Sequence, residues 1–248
     1  MSRFDNQLTD LMTAVTDNLL AKLKPLQFST PVTHVYNPLD YARKGYDCYV
    51  RRFGRKKKPI LLVGMNPGPF GMVQTGVPFG DVEMVSSWMG IHTSVDPPRF
   101  QHAKRPVTGF VCKRREVSGR RLWGWARQRF GSAEAFFEQF LVLNYCPLAF
   151  MEKSGRNRPP DRLPALEKKP LFGICDQALR RYIEIYNPRW VVGVGAFAEK
   201  RVRDAVGGMK LTVGRITHPS PANPKANRGW ASLVESELGA MGVTLPYH

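Results

Sequence analysis

Acidic side chains are scarce in this sequence: 20 Asp and Glu stand against 37 Lys and Arg in 248 residues, a formal net charge of +17. A chain so short of negative charge is poorly suited to cationic partners. On a polyanion it releases counterions, so nucleic acid is the leading partner class and an anionic membrane surface the second. Cysteine is also sparse. Cys48, Cys112, Cys146 and Cys175 do not form the closely spaced pairs that zinc ribbons and iron–sulfur sites contribute, so no metal is expected and buried free thiols are. Long apolar runs are missing too, which excludes a membrane-spanning helix, and Asp5, Asp10 and Asp17 occupy the segment where a secretory leader would be basic and then apolar. These absences point to an intracellular protein, cytoplasmic or nucleoid-associated in a bacterium and nuclear in a eukaryote.

What is present suffices for one large core: 43% of the residues are hydrophobic and 11% aromatic. A single domain over residues 1–248 is expected. Within residues 1–30, Phe4, Leu8, Leu11, Met12, Val15, Leu19, Leu20 and Leu23 keep helical spacing, which predicts an amphipathic helix packed on that domain. The basic run Arg51 to Lys58 reads as a solvated edge before a strand, ahead of a localisation signal or a phosphate contact.

The apolar run Pro59-Ile60-Leu61-Leu62-Val63 predicts a strand, and Gly64-Met65-Asn66-Pro67-Gly68-Pro69-Phe70 ends it abruptly. Such a loop holds the Asn66 amide at a fixed place beyond the sheet edge, with glycines for close approach and prolines for stiffness. A second loop, Gln74 to Asp81, carries Phe79 between Pro78 and Gly80 and leads into a predicted helix from Val82 to Ile91. Phe79 reads equally as a stacking surface for a base or as a plug in the core. Between Arg99 and Arg129 the basic residues, Lys113, Arg114 and Arg115 among them, outnumber the single acid Glu116, and His102, Phe110, Trp123 and Trp125 are interleaved. That density predicts a nucleic-acid surface.

Phe140 to Tyr145 repeats the first pattern, an apolar strand with Asn144 near its carboxyl end. Residues 155–170, rich in Arg, Lys and Pro, read as a long loop, and Leu171 to Tyr186 as a helix. Trp190 to Gly195 predicts a third strand. Its Gly193 and Gly195 lack the third glycine and the acidic partner of a dinucleotide site, so no nucleotide cofactor is expected. A helix from Ala196 to Val206 and a strand from Leu211 to Ile216 follow. The strand runs into Thr217-His218-Pro219-Ser220-Pro221-Ala222-Asn223-Pro224 and a last helix after Trp230. Strands alternating with helices predict an α/β protein of three α/β/α layers around a mainly parallel four-stranded sheet. Ligands bind such sheets outside the carboxyl ends of the strands, where Asn66, Asn144 and His218 all fall.

Six segments carry a family resemblance: Gly64 to Asp81, Glu116-Val117-Ser118-Gly119, Asn144-Tyr145-Cys146-Pro147-Leu148, Ser154-Gly155-Arg156-Asn157, Val191 to Gly195, and His218 to Trp230. In order and content they resemble the single-strand-selective monofunctional uracil-DNA glycosylases, from about residue 35 to the C-terminus. The resemblance implies a cofactor-free, metal-free monomer acting on single- and double-stranded DNA that carries uracil or oxidised or deaminated bases. Such an enzyme turns the damaged nucleotide out of the stack and hydrolyses its N-glycosidic bond. By resemblance, Asn66 positions the attacking water and His218 hydrogen-bonds uracil O2. Asn144 reads the pyrimidine edge, Phe79 stacks on the ring, and Met65 and Phe70 complete the substrate site. Gly68 stands where uracil-only relatives place a tyrosine against carbon 5, which implies room for substituents such as 5-hydroxymethyl. Pro219, Ser220, Pro221, Ala222 and Asn223 form the loop that wedges into the duplex. Animal members carry a basic residue where this chain has Ala222. Two other readings stay open: a relative that prefers deaminated purines such as hypoxanthine or xanthine, and a nucleic-acid binder without turnover.

Overall fold

The structure, a computed structural model, describes residues 3–246, the first four by backbone alone. The chain begins with helix α1 (Arg3–Leu23), strand β1 (Val32–Tyr36), helices α2 (Pro38–Tyr41) and α3 (Arg43–Phe53), and strand β2 (Ile60–Gly64). A short helix α4 (Met72–Thr75), a π-turn over Met84–Trp88 and a 3-10 turn over Gly109–Val111 lead to α5 (Val117–Phe130), α6 (Ala133–Gln139) and β3 (Phe140–Asn144). Then come β4 (Ala149–Glu152), β5 (Asn157–Arg158), α7 (Ala165–Tyr186), β6 (Trp190–Val194), α8 (Ala196–Ala205), β7 (Thr212–Ile216) and α9 (Trp230–Ala240).

The central sheet is wholly parallel, in the order β3-β2-β6-β7. Every residue of β2 and β6 is buried, the pattern of strands covered on both faces. Right-handed crossovers dictate the layers. The chain steps one way from β2 to β3 and the other way from β3 to β6 and on to β7, so α5 and α6 lie on one face and α7 and α8 on the opposite one. The packing agrees: α8 contacts β2, β6, β7 and α7, whereas α5 contacts α6 and α9.

The N-terminal helix is stitched to this body. Thr16 Oγ1 on α1 lies 3.2 Å from the Tyr46 hydroxyl of α3 and 2.9 Å from the Tyr182 hydroxyl of α7. The basic run before β2 is a structural edge: Arg52 pairs with Glu134, Lys56 pairs with Glu138, and Lys58 is buried with its Nζ on the Phe137 carbonyl.

The structure departs from the sequence reading in three places. The helix expected from Val82 to Ile91 starts at Val82 but ends at Trp88, and its last five residues, Met84–Trp88, take the wider π form. The supposed loop over residues 155–170 contains β5 and the first turns of α7, with Pro170 inside the helix. Pro170 is the sixth residue of that helix and costs it the amide bond to the Leu166 carbonyl, and the buried Leu171 and Cys175 that follow carry the helix through. Unforeseen altogether is a small antiparallel sheet, β1-β4-β5, whose strands are short and draw their pairing from distant segments.

Strand β3 is an edge of the central sheet, and α3 closes it. The Tyr49 hydroxyl donates to the Val142 carbonyl at 2.9 Å and accepts from the Val142 amide at 3.1 Å, so one side chain satisfies both exposed backbone groups. Tyr49→Phe should therefore lower stability by about 1–3 kcal/mol. Urea denaturation followed by circular dichroism measures it, and an unchanged midpoint would remove Tyr49 as the edge cap.

Candidate active site

The β2–β3 ladder continues past both strands. Tyr145 N donates to the Gly64 carbonyl and Cys146 N to the Met65 carbonyl, each at 2.9 Å, which sets the two following loops side by side. In the first loop Asn66 Nδ2 donates to the Leu148 carbonyl at 3.2 Å, so its Oδ1 is the atom left for the cavity that Asn66 lines. The small antiparallel sheet pins the same loop. Asn157 accepts from Phe150 N at 3.1 Å through Oδ1 and donates through Nδ2 to the Pro67 carbonyl at 2.8 Å.

Asn144 ends β3 directly beside Gly64. A Cβ placed on Gly64 would meet Asn144 Oδ1 at 2.4 Å and the Phe79 ring at 2.6 Å, so this glycine gives both side chains their positions. Asn144 Nδ2 lies 3.1 Å from the Met72 sulfur, a weak acceptor that a better one would displace.

Phe79 has a backbone φ of 52°, a left-handed conformation that costs a bulky residue about 1–3 kcal/mol and needs surrounding structure to hold it. The holder is α5. Trp123 Nε1 donates to the Phe79 carbonyl at 2.9 Å, and Gly119 approaches so closely that a Cβ there would sit 2.0 Å from that carbonyl oxygen. Trp123 and Trp125, read from sequence as part of a nucleic-acid surface, are buried core residues. His102 is likewise buried, with its ring bonded to Lys153 O and Lys104 N. Two residues apart, the tryptophans lie on different sides of α5, Trp123 against Trp88 and Trp125 against Trp230, so the charge that surrounds them in sequence does not bring either to the surface.

His218 follows β7. Ser220 N donates to its Nδ1 at 3.0 Å, which places the ring proton on Nε2, and burial pushes its pKa down to about 4. It is a neutral imidazole with one N–H left for a ligand. The loop around it is tied down: Arg121 on α5 donates to the Pro219 carbonyl at 3.0 Å and to Asn227 Oδ1 at 2.8 Å. Glu237 on α9 accepts from both the amide and the hydroxyl of Thr217. Pro219 is buried and Ser220 and Asn223 partly so, while Pro221 and Ala222 stand exposed at the loop tip.

Met65, Asn66, Gly68, Phe79, Asn144 and His218 thus converge on one cavity of about 150 Å³. Met72, Glu116, Ser118 and Asn157 complete its wall; all four lie in segments that carry the family resemblance, but the sequence reading gives none of them a site role. Two expectations need correction. Phe70 does not line the cavity; its ring lies outside it, with the Arg114 and Arg105 guanidiniums 4.3 and 5.2 Å from its centroid. The space beside Gly68 is not open either, since the Glu116 carboxyl stands in it. Of the basic triplet, Lys113 and Arg114 are exposed, whereas Arg115 pairs with Glu83. A larger groove of about 800 Å³ beside Leu20, Leu26 and Phe28 contains none of the strand-end amides or the imidazole. Among the described residues no cluster of His, Cys, Asp and Glu could hold a metal ion, and no helix is long and apolar enough to cross a membrane. Cys146 and Cys175 are buried free thiols; Cys48 and Cys112 are partly exposed.

This arrangement is that of a known class. Residues 51–234 match the Uracil DNA glycosylase superfamily, and the chain belongs to it. The rat single-strand selective monofunctional uracil-DNA glycosylase is 47% identical over 227 residues, 91% of this chain and 82% of that protein. Its bovine counterpart is 45% identical over 90% of this chain and 82% of its own length. Within the superfamily, the chain therefore sits in the single-strand-selective monofunctional family. The crystal structure of wild-type Pedobacter heparinus SMUG2 shares the fold, with a TM-score of 0.66 at 20% identity over 92% of this chain and 97% of that one.

A histidine held near 4 against an ordinary value of 6.5 makes a directional prediction. Between those values the unfolded chain binds the proton and the folded one does not, so stability should decline as pH falls from about 6.5 toward 4. The His218 ring should stay neutral throughout the neutral range. NMR titration of the ring checks its protonation and denaturation across the same pH range checks the stability; a ring midpoint near 6.5 would contradict both statements.

Proposed function

We propose that this chain is a monofunctional DNA glycosylase that excises uracil, and uracils substituted at carbon 5 such as 5-hydroxymethyluracil, to leave an abasic site. The observation that carries the reading is the neutral His218 imidazole with its Nε2–H free, placed across a one-ring cavity from the strand-end amides of Asn144 and Asn66.

Each group has a chemical task. Uracil leaves as an anion, so a fixed donor near O2 stabilises charge that develops mainly in the transition state. His218 supplies it without a charge of its own. Asn144 offers a donor to O4 and an acceptor to N3–H, and cytosine presents the reverse pattern. The rigid Phe79 ring stacks on the base. Asn66 Oδ1 orients water toward the sugar carbon; a carboxamide is a weak base, which suits a loose transition state in which the glycosidic bond is largely broken before water bonds.

The cavity's size favours a pyrimidine over a deaminated purine. A site of roughly 150 Å³ holds benzene, one six-membered ring, and a purine adds a second. No lysine lines the cavity among the described residues, which supports hydrolysis without a lyase step. The exposed tip Pro221-Ala222, firmly backed by Arg121, suits insertion into a base stack. Exposed Lys113 and Arg114 suit phosphate binding on single- and double-stranded DNA. Localisation in the compartment that holds the DNA follows from this reading.

Incubation with a uracil-containing oligonucleotide should yield free uracil and a strand that breaks only on alkali treatment. Asn66→Ala should cut single-turnover release by orders of magnitude while lesion-DNA affinity stays nearly constant. Spontaneous strand cleavage or a borohydride-trapped adduct would overturn the monofunctional assignment, and equal loss of affinity and rate would make Asn66 structural.

Replacing Lys113 and Arg114 together by Ala should flatten the log–log salt dependence of duplex binding, by about 0.9 for each phosphate that the protein no longer neutralises. Fluorescence anisotropy over a salt series measures the slope; an unaltered slope would return this patch to an ordinary solvated face.

A further inference from the structure

One cavity group has no task in that mechanism. Glu116 caps the N-terminus of α5, where its Oε1 accepts from Ser118 N at 3.3 Å and its own amide donates to Asp81 Oδ2 at 3.0 Å. Capping needs one acceptor oxygen, and Asn, Asp or Ser provides it at least as well. The carboxyl's partner among the described residues is Ser118, through its amide and its side chain, and Oε2 is the oxygen turned toward Gly68. It is held in place by the loop after β2. A Cβ on Gly68 would fall 2.1 Å from Oε2, and one on Gly71 would fall 2.8 Å from Glu116 Cγ. Gly68 does not have a positive φ, so no turn requires a glycine there. What its missing side chain accommodates is the Glu116 carboxyl.

This placement is unfavourable for a purely structural carboxyl. Burial and the nearby Asp81 both raise its pKa, and Arg115, the adjacent cation, is paired with Glu83. Groups held against such costs concentrate where a ligand uses them.

The order of atoms around a pyrimidine says which part of the ligand Glu116 meets. With O4 and N3–H on Asn144, O2 lies on one flank, toward His218, and carbon 5 on the other. Of the walls without a task, Met72 faces the Asn144 amide, Asn157 spends both amide atoms on backbone, Met65 and Ser118 carry no charge, and Glu116, set against Gly68, alone presents a carboxyl. We propose that Glu116 is the specificity-determining residue at carbon 5: its Oε2 accepts a hydrogen bond from a hydroxyl carried there and disfavours the methyl group of thymine, which would cover the carboxyl with hydrocarbon. The assignment rests on the reading of the cavity as a uracil site. It also explains how one site accepts a larger damaged base while rejecting the smaller normal one, since an unpaired buried acceptor penalises the wrong ligand more than shape does.

The test uses the whole chain and single-stranded oligonucleotides carrying uracil, 5-hydroxymethyluracil or thymine at one position, with kcat/KM as the readout. Glu116→Ala should lower the ratio of 5-hydroxymethyluracil to uracil release by about tenfold or more, the effect of one hydrogen bond to a charged or strongly polar group, and should admit measurable thymine release. Glu116→Gln keeps the shape with a single oxygen; with that oxygen on Ser118 N, an amide nitrogen stands where Oε2 was, so the ratio should again fall, by less than in Glu116→Ala because a hydroxyl can also accept from the amide. Gly68→Ala displaces the carboxyl without removing it and should shift the ratio in the direction of Glu116→Ala. If Glu116→Ala turns over neither base, the other two variants decide. An unchanged ratio in Glu116→Ala, or in Gly68→Ala where Glu116→Ala is inactive, overturns the assignment. A wild type that releases uracil and not 5-hydroxymethyluracil overturns the carbon-5 assignment alone, and one that releases neither overturns the function and this inference with it.

Discussion

The site depends on the parallel pairing of β2 and β3 and on its continuation by two bonds beyond the strands, from Tyr145 and Cys146 to Gly64 and Met65. Because parallel strands end on the same side, this pairing brings the Asn66 loop and Asn144 to one edge, and the added bonds fix their mutual height. Slipping the register by one residue would turn Asn144 toward the opposite face. Below the edge, Arg201 on α8 buttresses the same segment through the Tyr145 hydroxyl at 3.0 Å and through Asp176 of α7. The helices on that face thus serve to hold a strand end still.

The opposite face supplies the rest of the cavity. Helix α5 does several jobs at once: Glu116 at its cap reaches the Gly68 loop, Gly119 and Trp123 hold the strained Phe79, and Arg121 anchors the loop that carries His218. A shift of this helix would therefore move the stacking ring, the carbon-5 wall and the imidazole loop together. That coupling suits a reaction in which base recognition and leaving-group stabilisation must coincide within fractions of an ångström.

Electrostatics divides the same way. The net charge of +17 is carried largely on the outside, while the groups proposed to act on the leaving base and the water are neutral, an uncharged His218 and two carboxamides, and the one carboxyl of the cavity, Glu116, is confined to the carbon-5 wall. Long-range attraction to phosphate and short-range selection of a base are thereby separated. The basic surface acts on any nucleic acid, and only the cavity distinguishes one base from another.

By itself the sequence determined the strands of the central sheet, the three-layer class and the convergence of Asn66, Asn144 and His218, because these follow from local signals: buried apolar runs, abrupt Gly and Pro stops, and the rule that parallel strands end together. It also pointed to Phe79 through its rigid neighbours, though not to whether the ring stacks or fills. Other features had no local signal. Trp123 and Trp125 looked like surface aromatics because charge surrounds them in sequence, and only the packing of α5 turns them inward. Glu116 belonged to a family segment but had no role until the fold set it against Gly68, and the Phe70 ring lies beside the Arg105 and Arg114 guanidiniums and not among the cavity walls. Those outcomes depend on packing between segments far apart in the chain, with strengths set by close approach and burial, and no spacing along a sequence records either.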